Sequence, residues 1–164
     1  MTNHDTQNHT EHQNTQTQLK FRTALLKCAR HMSEAFNQRL EPYELNYSLW
    51  QVIYLLHEHQ SKTCMDLAKH LNVSKPSIAK RVQVLEQLDL IDHVSTHDKR
   101  QKRLKLNDKG IAIYQTCSAD LDLYEAELLQ SFDQSKLNIS TEVLNQVLKL
   151  FQMQLQTTES GANE

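Results

Sequence analysis

Residues 66–110, DLAKHLNVSKPSIAKRVQVLEQLDLIDHVSTHDKRQKRLKLNDKG, change hydrophobic period partway through, and that change decides the fold. Leu67, Ala68 and Leu71, with Met65 just ahead, fall at helical steps, and so do Ile78, Val82 and Leu85. Between the two sets, Asn72-Val73 leaves room only for a tight connection. Ser74 is a good N-cap, and Pro76 sits in a first turn, where a missing N–H has no partner to lose. Upstream, Thr63 and Asp66 have capping-box spacing, with Asp in place of the usual Glu. After Asp89 the period shortens. Leu90, Ile91 and Val94 read as a strand, and Leu104 and Leu106 alternate with Arg103, Lys105 and Asn107. The basic loop His97–Lys102 separates the two strands, which predicts a β-hairpin with a charged tip. Two short helices, a tight turn and a hairpin make a winged helix-turn-helix.

The flanks are helical. Phe21, Leu25, Cys28, Ala29, Met32, Phe36 and Leu40 recur every three or four residues, and Glu41-Pro42 stops that helix. A second helix from Tyr47 to His59 has Asn46 as its cap and buries Leu49, Trp50, Val52, Ile53, Leu55 and Leu56. Downstream, Asn107 caps a long helix carrying Ile111, Ile113, Tyr114, Cys117, Leu121, Tyr124, Leu128 and Leu129. A break at Asp133–Asn138 precedes a last helix capped near Ser140, with a stripe of Leu144, Val147, Leu148, Phe151 and Leu155. The expected organisation is a disordered polar tail at 1–17, an N-terminal helix at 18–45, the winged module at 46–108, C-terminal helices at 109–157 and a frayed tail at 158–164. The fold class is mainly α with a two-stranded β wing.

Composition agrees. The chain has 164 residues, which suits one domain, with 2 Gly and 2 Pro. That is too few turn residues for a sandwich or barrel, and no Gly-rich loop exists to wrap a phosphate. There is no G-x-S-x-G and no metal-binding motif, so neither an enzyme nor a cofactor is expected. Cys28, Cys64 and Cys117 form no C-x-x-C pair. No apolar run reaches membrane-spanning length, and Met1–Gln18 has no apolar core of a signal peptide. The expectation is a cytoplasmic protein without a membrane partner.

The net charge of −2 hides an asymmetry. Residues 62–110 hold 11 Lys and Arg against 6 Asp and Glu, a net of +5, while the remainder carries −7. A basic segment in an acidic chain points to a polyanion. In a winged helix-turn-helix the second helix enters the major groove of DNA and presents its N-terminal end to base edges. There, Lys75, Ser77, Lys80 and, at the margin, Arg81 and Gln83 face away from the apolar stripe. Ser74 and the first-turn N–H groups can hold a phosphate. At the hairpin tip Lys99, Arg100, Lys102 and Arg103 are the cations, with Arg100 suited to a minor groove. Asp98 is suited to holding a neighbouring cation.

The same run resembles the winged-helix core of the MarR family of bacterial transcription regulators. Asp98-Lys99-Arg100 matches that family's D-x-R wing. Leu106–Gly110 matches its strand-to-helix junction, with Asn107 where Thr is usual, and LNYSLWQVIYLL at 45–56 fits its second helix. The resemblance implies a repressor, an intertwined homodimer of the first and last two helices bound to a pseudo-palindromic operator, whose DNA binding a ligand or an oxidant weakens. It implies DNA contacts by Lys75, Ser77, Lys80 and Arg100, with Asp98 in support. Two positions depart from the pattern: Arg81 stands where many members are apolar, and Asp89 where the family often has Gly. The wide stripes of the first and last helices independently call for a second copy.

The effector, its identity open, is expected between the dimer helices and the winged module, where Arg30, His31, Tyr47 and Trp50 are of suitable types. Redox sensing through Cys28, flanked by Lys27 and Arg30, is an alternative, as is a helical protein–protein adaptor that binds no DNA. His57-x-His59 and His93-x-x-x-His97 lack an obvious third ligand, so no metal is expected.

Two substitutions separate the roles assigned to the wing. Arg100→Ala should weaken binding by about 1–3 kcal/mol and relax A·T preference, as loss of a groove contact does. Lys102→Ala should weaken all sequences alike and flatten the salt slope by about one unit. Both are read by fluorescence anisotropy at two salt concentrations, and equal behaviour of the two variants would refute the assignment.

Overall fold

The structure is a computed structural model that describes residues 4–94 and 102–160, with side chains for 17–94 and 102–154. In chain order the elements are α1 (His4–Leu40), a 3-10 turn (Glu41–Tyr43), α2 (Tyr47–His59), β1 (Lys62–Thr63), α3 (Cys64–Leu71), α4 (Lys75–Gln87), β2 (Ile91–Val94), β3 (Arg103–Leu106), α5 (Asp108–Leu129) and α6 (Gln134–Ser160). The chain divides into two compact units, Met1–Leu121 and Asp122–Glu164.

The first unit is built around α2, whose Leu49, Trp50, Val52, Ile53, Leu55 and Leu56 are all buried. Leu67 of α3, Ile78 and Leu85 of α4 and Leu104 of β3 complete a core of fully buried side chains. Each such side chain contributes about 1.5–3 kcal/mol on leaving water. The caps sit where the sequence places them. Asn46 Oδ1 accepts from the Leu49 N–H at 3.0 Å, and Ser74 Oγ accepts from the Ser77 N–H at 3.4 Å. The capping box is reciprocal: the Asp66 N–H donates to Thr63 Oγ1 at 3.1 Å, and the Thr63 N–H donates to Asp66 Oδ2 at 3.1 Å.

β2 and β3 form the expected antiparallel pair, Ile91 opposite Leu106 and Val94 opposite Arg103. The sheet has a third strand that the sequence reading missed. β1 pairs with β3 on its other side, giving the order β1-β3-β2. Two residues are too few to show alternation.

The ends of the outer helices also differ from expectation. Instead of a disordered tail at 1–17, α1 already starts at His4. No Pro or Gly occurs before Pro42, so a helix nucleated over the apolar stripe can propagate backward at one hydrogen bond per residue. α6 starts at Gln134, not near Ser140. Asp133 Oδ1 accepts from the N–H groups of Ser135 and Lys136 at 3.0 and 3.2 Å, whereas the Ser140 hydroxyl donates to the Lys136 carbonyl inside the helix. Helix reaches Ser160, into the stretch expected to fray; 161–164 lie outside the described residues.

The connection after α4 turns at Asp89, with φ 56°, so Asp takes the left-handed conformation that Gly adopts without strain. The Asn107 N–H donates to the Leu90 carbonyl at 3.2 Å, and Asn107 Nδ2 to the Asp89 carbonyl at 3.1 Å. Three residues on, Gly110 is needed for space. A Cβ there would lie 2.1 Å from the Leu90 carbonyl oxygen, a backbone atom held by its own hydrogen bond.

Gly110→Ala should therefore lower stability by about 1–3 kcal/mol in urea unfolding. A stability equal to wild type would mean that α5 and the α4–β2 turn can separate freely. Asp66→Ala tests the capping box. Hydrogen bonds from the Thr63 hydroxyl and then its N–H hold the Asp66 carboxyl below its ordinary value of 3.8. A lowered carboxylate contributes stability above its unfolded pKa and loses it as pH falls through the folded one. The variant should be weaker by about 0.5–1 kcal/mol at neutral pH, the low end for a solvent-screened cap. That gap should close below pH 3.8 in thermal melts at graded pH.

Candidate nucleic-acid interface

α4 stands on its buried stripe of Ile78, Val82 and Leu85, and its opposite side is open. Ser74, Lys75 and Lys80 are exposed, and Ser77 is half-buried. Thirteen residues make α4 about 20 Å long, and the major groove is about 12 Å wide, so its first two turns can enter. Behind α4, Asn72 closes α3 in the left-handed conformation, φ 51°, which makes the short turn possible without Gly. Lys102 is exposed on the approach to β3. Asp98, Lys99 and Arg100 lie outside the described residues.

Two cations grouped with the DNA face serve the fold instead. Arg103 is half-buried: its Nε donates to Ser61 Oγ at 3.0 Å and its Nη2 to the Ser61 carbonyl at 2.8 Å, fastening β3 to the chain ahead of α3. Arg81 Nη1 donates to the Ser48 carbonyl of α2 at 3.3 Å, so its guanidinium turns toward the body. The sequence offered a signal for this. Residues 78, 81, 82 and 85 have the i, i+3, i+4, i+7 spacing of one helix face.

The residues proposed for an effector are divided. Arg30 and His31 are exposed on α1, with His31 Nδ1 4.0 Å from Glu34. The Tyr47 ring lies 5.4 Å from that of Phe36, and its N–H donates to Asn37 Oδ1 at 2.7 Å. Trp50 is buried and stacks on Tyr114 of α5, centroids 5.4 Å apart and 7° from parallel. His57, two turns along α2, stacks on the same Tyr114 ring at 3.7 Å and 15°. This three-ring stack ties α2 to α5 and was not read from the sequence, although Trp50 and His57 are seven apart. Beside it lies a cleft of about 460 Å³, lined by His57 of α2, Gln60 just past the end of that helix, Asp92 of β2, Lys105 of β3, Asn107 and Asp108. His57 Nδ1 is buried without a hydrogen bond and lies 3.6 Å from Glu58.

His93 Nε2 lies 2.7 Å from Glu86 Oε1, linking β2 to α4. Among the described residues no three His, Cys, Asp or Glu side chains gather as metal ligands. Cys28 is exposed, Cys64 half-buried and Cys117 buried. Burial, reinforced by Asp120, pushes the Cys117 thiol up to about 11; burial, then Glu86, raises Cys64. Neither thiol is poised as a thiolate. No helix among the described residues is long and apolar enough to cross a membrane.

Residues 43–101 match the model of the MarR family. An uncharacterized HTH-type transcriptional regulator, YwoH of Bacillus subtilis (strain 168), is 28% identical over 127 residues, covering 77% of this chain and 89% of that protein. The structure of a Staphylococcus aureus MarR in complex with salicylate and kanamycin superposes with a TM-score of 0.77 at 22% identity, over 83% of this chain and 93% of that one. The S. aureus MepR–DNA complex superposes with a TM-score of 0.71 at 20% identity, over 78% and 94%. At such identities the two structures speak for the fold. The match to the MarR family model thus lies across the helix-turn-helix and into the wing, in a chain whose fold is that of these two structures.

Proposed function

We propose that this protein is a sequence-specific double-stranded-DNA-binding transcription regulator, a homodimer acting in the cytoplasm by binding rather than catalysis. The observation that carries the reading is the open face of α4. It places Lys75 and Lys80 beside the capped, N–H-rich start of a helix, within a segment, residues 62–110, of net charge +5. Phosphates need cations and N–H groups, and base edges need side-chain donors and acceptors; this face offers both. MepR, of the same fold, was solved with DNA.

The homodimer is supported by uncovered apolar surface. Leu19, Phe21 and Leu26 of α1 are exposed, as are Ile139, Val143, Leu144, Leu148 and Phe151 of α6. Patches of this kind in a water-soluble regulator mark an interface, and a two-fold dimer matches a pseudo-palindromic operator. The effector reading, a repressor released by a small molecule, is supported by the cleft beside His57. It adjoins α2, α5 and the base of the wing, so a ligand there can bias the wing's position. S. aureus MarR was solved with salicylate. This cleft replaces Arg30 and His31 as the place to look.

The test is anisotropy with a duplex enriched by the purified protein from a random pool, against a scrambled duplex, with salicylate as the effector probe. For a protein making 6–10 phosphate contacts, affinity should fall about 10³–10⁵-fold between 50 and 200 mM salt. The enriched duplex should be preferred, and salicylate should weaken its binding. Absence of salt-dependent binding to any duplex would overturn the regulator reading and favour the adaptor. Binding insensitive to salicylate would remove that acid as effector.

A further inference from the structure

Arg81 occupies a slot that helix periodicity reserves for an apolar residue. Its neighbours on that face, Ile78, Val82 and Leu85, are buried, while Lys80 next to it is exposed. A cation turned to the inner face of a helix must find an acceptor, and Arg81 Nη1 finds the Ser48 carbonyl at 3.3 Å. Ser48 stands in the first turn of α2, which is itself fixed from two sides. Its hydroxyl donates to Asn46 Oδ1 at 2.7 Å, and the neighbouring Tyr47 N–H donates to Asn37 Oδ1 of α1 at 2.7 Å. A hydrogen-bonded path thus runs from α1 through the start of α2 to the middle of α4.

We infer that Arg81 is a positioning residue, setting the roll of α4 about its own axis against α2 without touching DNA. The lever is short. With side chains an α-helix is about 10–12 Å across, so a roll of about 20° moves a surface group by about 2 Å, enough to break a base contact. Lys80, on the next residue, is the group most directly aimed by that roll. Phosphate contacts tolerate such displacement better, because a lysine on a flexible stem acts as a point charge.

The inference rests on the DNA-binding reading, and its test separates the two. Arg81→Met keeps the length and apolar stem but loses the donor and the charge; Arg81→Lys keeps a donor. With the enriched duplex, Arg81→Met should bind about tenfold more weakly, the effect of one charge-assisted hydrogen bond. Its preference over scrambled duplex should shrink by the same factor, with the salt slope unchanged. Arg81→Lys should recover the preference to within about threefold. In the free protein, amide exchange in the first turn of α2 and the middle of α4 should quicken in Arg81→Met. A salt slope shallower by about one unit, with scrambled duplex weakened equally, would make Arg81 a phosphate contact and overturn the inference. Unchanged preference or unchanged amide exchange would overturn it too. Should wild type bind no duplex, the regulator reading fails, while the exchange measurement still decides whether Arg81 holds α4 to α2.

Discussion

The structure hangs on the close approach of two backbone segments, Leu88–Ile91 and Leu106–Gly110. The Leu90 carbonyl accepts the Asn107 N–H, the Asp89 carbonyl accepts Asn107 Nδ2, and the Leu88 carbonyl accepts Lys109 Nζ at 2.6 Å. Asn107 turns its remaining oxygen to the Gly110 N–H at 2.9 Å and so caps α5 as well. One side chain therefore closes the α4 turn, aligns the wing strands through Ile91 opposite Leu106, and launches the long helix. Such proximity demands a residue without Cβ at 110, and one of the chain's two glycines is there.

Economy in glycine shapes the rest. The four non-glycine residues with positive φ, Glu44, Gln60, Asn72 and Asp89, all close helices or turns among the described residues. Asn and Asp tolerate this conformation best. That Asp89 serves where the family pattern often has Gly shows that the turn depends on the backbone hydrogen bonds around it, Asp89 to Glu86 and Leu90 to Leu85, both at 3.0 Å.

Local signals were legible in the sequence because their physics is local. Caps at Asn46, Thr63, Ser74 and Asn107 each join groups three residues apart, and apolar periodicity gave the buried faces of α2 and α4; on α3 it gave Leu67 and Ala68, while Met65, expected inside at the first turn, is exposed. Nonlocal pairings were not legible. β1 exists because β3 offers it an edge, and Arg103 binds Ser61 across 42 residues of chain. The stack of Trp50, Tyr114 and His57 needs α5 to lie along α2, which no spacing within either helix states. For the same reason the outward direction of Lys75 and Lys80 on α4 follows from its apolar stripe, whereas the separation of Arg30 and His31 on α1 from the Trp50 stack does not follow from spacing.

The basic segment illustrates how composition overstates an electrostatic interface. Of its 11 cationic residues, Arg81, Arg103 and Lys109 donate to backbone carbonyls, and Lys105 lies 4.0 Å from Asp92. An arginine bound to a carbonyl keeps its charge but releases no counterion when DNA arrives, because it does not neutralise a phosphate. Exposed Lys75, Lys80 and Lys102 are of the other kind. The fold thus divides its cations into those tied to its own backbone and those left exposed. On the DNA-binding reading proposed above, affinity and its salt dependence rest with the second group. On the same reading the first group contributes placement, because a base contact requires positioning to within a fraction of a hydrogen-bond length.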